Sequence, residues 1–257
     1  MEIPQTYGDF LSVCETLKSK GYIPIQSSQY HAYSDMVLPM AMSILGNDKE
    51  LTAKIDEGDS SYADSLLPVY QHLQEFIDLG YTSLELNQTY PDGNYEEAIL
   101  KFFEGDVPFW IANTESVSGM KKRESKSETF SANPFEYEFV SVPLSEDGVY
   151  TYKEPWYGFS VNRNGEQVDY AVEFMRFLVQ EEELNKLAFV KGMPSVTLHN
   201  DDARYNNALN PQKEAGHYTY NGKMDGNLTA YIADTANAMG RGAVPDAESA
   251  IEAIKEK

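Results

Sequence analysis

Six consecutive residues, Val107-Pro108-Phe109-Trp110-Ile111-Ala112, restrict the fold more than any other stretch. A continuous apolar run of this kind suits a strand covered on both faces, as in a sheet flanked by helices. Pro108 places the run near a strand start or an edge. It ends in a polar tip, Asn113-Thr114-Glu115-Ser116. In open α/β sheets the carboxyl end of a strand is where ligands sit. Before it, residues 94–104 repeat at helical spacing, with Ala98, Ile99, Phe102 and Phe103 on the apolar side and Gly105 as the stop.

The remaining pattern alternates helix and strand, which predicts an α/β layer architecture. Residues 6–20 carry Tyr7, Phe10, Leu11, Cys14 and Leu17 on one stripe, with Thr6 and Asp9 as a capping pair and Gly21 after them. Residues 22–26 read as a short buried strand that opens into the loop Ser27-Ser28-Gln29-Tyr30-His31. A second helix spans 32–45, and Pro39 should kink it or mark its first turn. Residues 46–61 are charged and face solvent, and Leu66, Tyr70, Leu73, Phe76 and Ile77 predict a third helix stopped by Gly80. Residues 120–129 are a solvated mixed-charge patch, 137–142 alternate as a strand, and 145–148 form a turn. Residues 168–179 carry a wide apolar face (Val168, Ala171, Val172, Met175, Leu178, Val179), and a second helical pattern runs from 181 to 190. Gly192-Met193-Pro194 breaks it. A polar, weakly periodic stretch covers 200–227, and two helices close the chain at 228–239 and 246–255.

The chain has 257 residues, enough for one large domain or two small ones. Twenty Lys and Arg against 41 Asp and Glu leave a formal net charge of −21. A surface that acidic repels phosphate backbones and anionic lipid heads, so nucleic acid is disfavoured as a partner. One cysteine, Cys14, allows no internal disulfide and no zinc site, and its place on an apolar stripe predicts a buried thiol. No apolar run approaches the ~18 residues of a membrane span. The four histidines are scattered, and no calcium loop, Walker loop, dinucleotide fingerprint or nucleophile elbow is present. No catalytic residue, metal site or cofactor is marked out. With 41 carboxylates, a general acid and base pair is not excluded by counting.

The stretch Glu154-Pro155-Trp156-Tyr157-Gly158-Phe159-Ser160-Val161-Asn162 joins an aromatic pair, a glycine and an apolar strand. An exposed Trp-Tyr pair is a platform for a sugar face or a ring, and the alternative is that both are ordinary core and edge aromatics.

Five pieces in order resemble the extracellular solute-binding proteins of ABC importers, in the family that takes up sugars and oligosaccharides. They are the helix start Pro4-Gln5-Thr6-Tyr7-Gly8-Asp9-Phe10 with Leu17-Lys18-x-x-Gly21-Tyr22-Ile23-Pro24-Ile25, residues 98–111, Pro155-Trp156-Tyr157-Gly158-Phe159-Ser160-Val161, residues 171–179, and Gly192-Met193-Pro194. The resemblance covers nearly the whole chain and implies two α/β lobes of the periplasmic-binding-protein-like type II fold, each a mixed sheet flanked by helices, closing on ligand about a hinge. It implies that this chain is mostly the C-terminal lobe, built from 1–142 and 197–257, with most of the first lobe lacking. Residues 143–196 would cross toward that first lobe with a strand and two helices. Without it they would pack on the second lobe or on another copy.

By the same resemblance the ligand would meet Tyr30 and His31 after the first strand, and Asn113, Thr114 and Glu115 after Ile111. It would also meet Glu154, Trp156 and Tyr157 at the crossing, and Asp225 or Asn227 before the late helix. Flat rings stack on sugar C–H faces while amides, carboxylates and imidazoles bond hydroxyls; turn residues of these types also serve as plain loop caps. The implied role is non-enzymatic carbohydrate binding for import, with membrane permease subunits as partners, no cofactor, and an extracytoplasmic place as a periplasmic protein or surface lipoprotein whose leader lies outside this chain. A carbohydrate-active enzyme with paired carboxylates and a ligand-sensing interaction module are the alternatives.

Overall fold

The computed structural model describes residues 2–26, 32–83, 95–114, 116–155, 158–199, 203–221, 224 and 226–257. The chain opens with α1 (Tyr7–Ser19), β1 (Ile25–Gln26), α2 (Ala32–Asn47), α3 (Lys49–Asp56), a 3-10 segment (Ser60–Leu66) and α4 (Leu67–Asp78). Next come α5 (Tyr95–Glu104), β2 (Phe109–Trp110), α6 (Ser116–Glu124), α7 (Glu128–Ala132) and β3 (Val149–Lys153). It ends with α8 (Val168–Leu178), α9 (Glu181–Lys191), a 3-10 turn (Ala203–Tyr205), α10 (Asn206–Leu209), β4 (Glu214–Thr219), α11 (Gly226–Gly240) and α12 (Ala247–Lys255).

The main core is built around α2. Tyr33, Met36, Val37, Ala41, Met42 and Leu45 are all buried, on more than one face of the helix. A helix apolar nearly all round has to sit inside the body. α11 packs along one side of it and β3 and β4 along another. Two glycines permit the approach. A Cβ on Gly240 of α11 would lie 2.0 Å from the Tyr33 ring, and one on Gly46 of α2 would lie 2.0 Å from the Tyr218 ring of β4. α4 closes the core from below, where the buried Tyr70 hydroxyl donates to the Ile232 carbonyl at 2.9 Å. A second, smaller core gathers Ile99, Phe102, Phe103 and Met120 with Phe130 and Tyr137. Its rings meet edge to face, Phe103 and Phe130 at 5.2 Å between centroids, which suits the aromatic quadrupole.

β1 pairs parallel with β2, Ile25 opposite Phe109 and Gln26 opposite Trp110. β3 pairs parallel with β4, Tyr152 opposite Tyr218. Among the described residues both pairs are parallel and separate, where the resemblance implies one mixed sheet.

The helix ends follow local chemistry. The Thr6 hydroxyl accepts the Asp9 N–H at 3.2 Å, and Gly21 takes φ 88° beyond the C-cap. Asp246 caps α12 by accepting the Ser249 N–H at 2.8 Å. Pro39 lies well inside α2, so it marks no first turn.

Several expectations need correcting. Only Phe109 and Trp110 of the apolar run form strand, and both are half-buried, because the outer side of β2 borders a cavity of about 590 Å³. Its far wall includes Phe135, Tyr137 and Phe139, so residues 137–142, predicted as a strand, join neither sheet. Strand structure is also absent at 158–162, where Phe159 is exposed; the strand lies earlier, at Val149–Lys153, which the turn at 145–148 feeds. β4 lies within the stretch read as polar and weakly periodic, and α3 within the charged segment.

The α8–α9 hairpin buries none of its residues. Val168, Ala171, Val172, Met175 and Leu178 are half-buried, but Val179 is exposed. A second stripe on α8 at i, i+4 and i+7 is open, with Tyr170 76%, Phe174 59% and Phe177 46% exposed. α9 adds Phe189 at 71%.

Two measurements check this packing. Gly240→Ala drives a methyl into Tyr33 and should cost about 1–3 kcal/mol in urea unfolding. Burial pushes the Cys14 thiol up to about 12, so the native chain should resist thiol reagents at pH 8 and react once unfolded.

Candidate ligand site

Two groups of polar residues stand at strand ends. The first follows β2. β1 and β2 run parallel, so their carboxyl ends share one edge, which carries Asn113 and Thr114. Both residues are half-buried. The Asn113 side-chain oxygen accepts the Ser116 N–H at 3.3 Å and its hydroxyl at 3.4 Å, and the Thr114 carbonyl accepts the Val117 N–H at 3.5 Å. These contacts start α6. The Asn113 oxygen therefore serves as a helix cap, whatever its amide N–H groups meet.

The second group follows β3. Glu154 is exposed, and its Oε2 accepts the Tyr152 hydroxyl at 3.0 Å. Tyr152 lies nearly parallel to Tyr218, with centroids 6.2 Å apart and 10° between planes. Burial, then the charge of Glu154 and its hydrogen bond, push the Tyr152 phenol above its ordinary value. The exposed Asn227 belongs to the first turn of α11. Tyr220 closes the group, its N–H donating to the Lys153 carbonyl at 2.9 Å and its hydroxyl to the Met224 carbonyl at 3.3 Å.

The structure thus brings Glu154 beside the chain that leads into α11 and Asn227, linked through Tyr220, which bonds to both Lys153 and Met224. Asn113 and Thr114 stand at the other group. Tyr30, His31, Glu115, Trp156, Tyr157 and Asp225 lie outside the described residues. Sequence reasoning missed Tyr152, Tyr218 and Tyr220. A signal was available, since Tyr150 and Tyr152, and Tyr218 and Tyr220, alternate as half-buried strands do; residues 149–153 carry no strand expectation and 214–219 fall in the stretch taken as polar.

The electrostatics point to structural rather than chemical roles for the shifted carboxylates. Ser61 N–H bonds hold Asp59 low, Ser249 does the same for Asp246, and lysines Lys126 and Lys186 hold Glu96 and Glu182 low. A glycosidase acid needs the opposite shift. Among the described residues no group of three or more His, Cys, Asp or Glu could hold a metal ion, and no helix is long and apolar enough to cross a membrane.

The profile of the bacterial extracellular solute-binding proteins matches residues 2–208, and the chain belongs to this family. No curated protein matches it significantly. Solved structures share its fold. A chitin oligosaccharide binding protein is 15% identical with a TM-score of 0.68, covering 99% of this chain and 64% of its own. A protein from work on xylan utilization by the thermophilic bacterium Caldanaerobius polysaccharolyticus is 17% identical with a TM-score of 0.65, covering 99% and 66%. RafE in complex with raffinose is 13% identical with a TM-score of 0.62, covering 100% and 66%. The chain therefore has the substrate-binding-protein-like fold while spanning less than two thirds of those relatives' lengths.

Removing the cap at the β2 tip is testable: Asn113→Ala should cost about 1 kcal/mol and speed amide exchange at Ser116 and Val117, read by hydrogen exchange.

Proposed function

We propose that the protein is the solute-binding subunit of an ABC importer and grips a neutral oligosaccharide between two lobes. Residues 1–142 and 197–257 form one lobe, and 143–196 cross to the other after laying β3 along β4. The observation that carries this reading is where the Glu154 group sits. It lies where the chain leaves the packed body for a hairpin whose aromatic stripe, Tyr170, Phe174 and Phe177, is open to solvent. Exposed apolar faces of that extent mark a surface meant to be covered. Covering it with a further α/β layer puts Glu154 and Asn227 at the mouth between two bodies.

The chemistry suits a sugar. Carboxylate, hydroxyl and amide groups beside tyrosine rings match the hydroxyls and C–H faces of a pyranose. The relatives named for chitin oligosaccharide and raffinose support the ligand class, and family membership supports an extracytoplasmic place and membrane permease partners. Asn113, Thr114, Glu154 and Asn227 are ligand contacts in this reading, as are Tyr30, His31, Glu115, Trp156, Tyr157 and Asp225. Closure of the lobes on ligand is a hinge transition and needs no bond-making step. The net charge of −21 agrees with a neutral ligand.

Isothermal titration of the full-length natural protein with raffinose, chitin oligosaccharides and xylo-oligosaccharides tests the proposal. Binding of one series without turnover is the expected result; silence across all three sinks it. The covering layer has its own check. Phe174→Glu should change the stability of the 257-residue chain by no more than ~0.5 kcal/mol, as an exposed substitution does. In the full-length protein it should cost about 2 kcal/mol or more, because the charge is then buried.

A further inference from the structure

Among the described residues, Glu154 is a member of the proposed ligand set whose side chain is exposed and is held by a hydrogen bond to a ring that is itself locked in place. The lock has three parts. Tyr152 is opposite Tyr218 in the β3–β4 register, the two rings lie nearly parallel, and Tyr218 is pressed against Gly46, where not even a methyl group fits. An exposed carboxylate on a flexible stem loses rotamer freedom when it binds, and a fixed neighbour removes much of that cost beforehand.

We infer that Tyr152 is a positioning residue of the ligand site: its hydroxyl holds one oxygen of Glu154, so that the other oxygen faces outward as an acceptor for a sugar hydroxyl. The inference rests on the reading of this site as a carbohydrate site. It assigns Tyr152 no contact with ligand. Its effect passes through Glu154, and the selectivity it gives is for sugars with a hydroxyl at the position Glu154 reaches. Ring orientation and carboxylate orientation are then one unit, rather than two separate contacts.

The test is a double-mutant cycle on the full-length protein, with wild type, Tyr152→Phe, Glu154→Gln and the double variant titrated with raffinose, chitin oligosaccharides and xylo-oligosaccharides. Glu154→Gln should weaken the preferred sugar about 10-fold, the scale of one hydrogen bond to a charged group. Tyr152→Phe should weaken it about fivefold. The double variant should be no weaker than Glu154→Gln alone, since Tyr152 has nothing left to orient. A Tyr152→Phe effect below about twofold, or additive losses in the double variant, overturns the inference. A ligand-free arm separates this from the broader proposal. In protein carrying 13C-labelled glutamate, the Glu154 side-chain signal, assigned by its loss in Glu154→Gln, should be rigid in wild type and motionally averaged in Tyr152→Phe. If wild type binds none of the sugars, the carbohydrate reading falls while this arm still decides the positioning role, and unchanged mobility overturns it.

Discussion

Everything in the body depends on the burial of α2. A helix with Tyr33, Met36, Val37, Met42 and Leu45 all out of water cannot stand at a surface, so α11, α4, β3 and β4 must surround it. The closeness of that packing is set by Gly46 and Gly240, where aromatic rings occupy the space a side chain would fill. Dense packing of this kind transmits displacement instead of absorbing it. The arrangement of the tyrosines on β3 and β4 is therefore a consequence of how α2 is seated, and so is the direction in which Glu154 leaves the sheet.

The molecule is unevenly finished. Its main core is closed, and a second core of phenylalanines and a tyrosine is nearly so, yet α8 and α9 carry aromatic side chains into solvent. The cavity beside β2 is a second unfinished place, bordered by residues that the alternation at 137–142 would otherwise have laid into a strand. The indole nitrogen of Trp110, buried on that wall, finds no hydrogen-bond partner among the described residues. The cavity lies next to the polar residues that follow β2.

Much of the architecture was legible in the residues. The stripe of Tyr7, Phe10, Cys14 and Leu17, the cap at Thr6 and the stops at Gly21, Gly80, Gly105 and Gly192 all placed helices, since cap and stop chemistry acts within a few residues. The strands were harder. β3 and β4 are five and six residues long and gain their stability from each other and from α2, a partnership across more than sixty positions of chain that no local window contains. Residues 137–142 show the reverse case, a strand pattern for which no edge is at hand. Of the candidate site, the types Asn113, Glu154 and Asn227 could be picked out as loop-tip polar residues, but nothing in their spacing told capping from binding, because both uses call for the same side chains.

By itself the sequence determined where helices begin and end, that one thiol would be buried, that the surface would repel anions, and which family the chain belongs to. Only the tertiary structure decided that the two parallel strand pairs stay apart among the described residues, that α8 presents a second, aromatic stripe, and that Tyr152 holds Glu154. The division has a physical cause. Capping and periodicity are encoded within a turn or two of helix, whereas strand pairing, ring stacking and the meeting of side chains from distant segments depend on a packed interior that exists only once the chain has closed on itself.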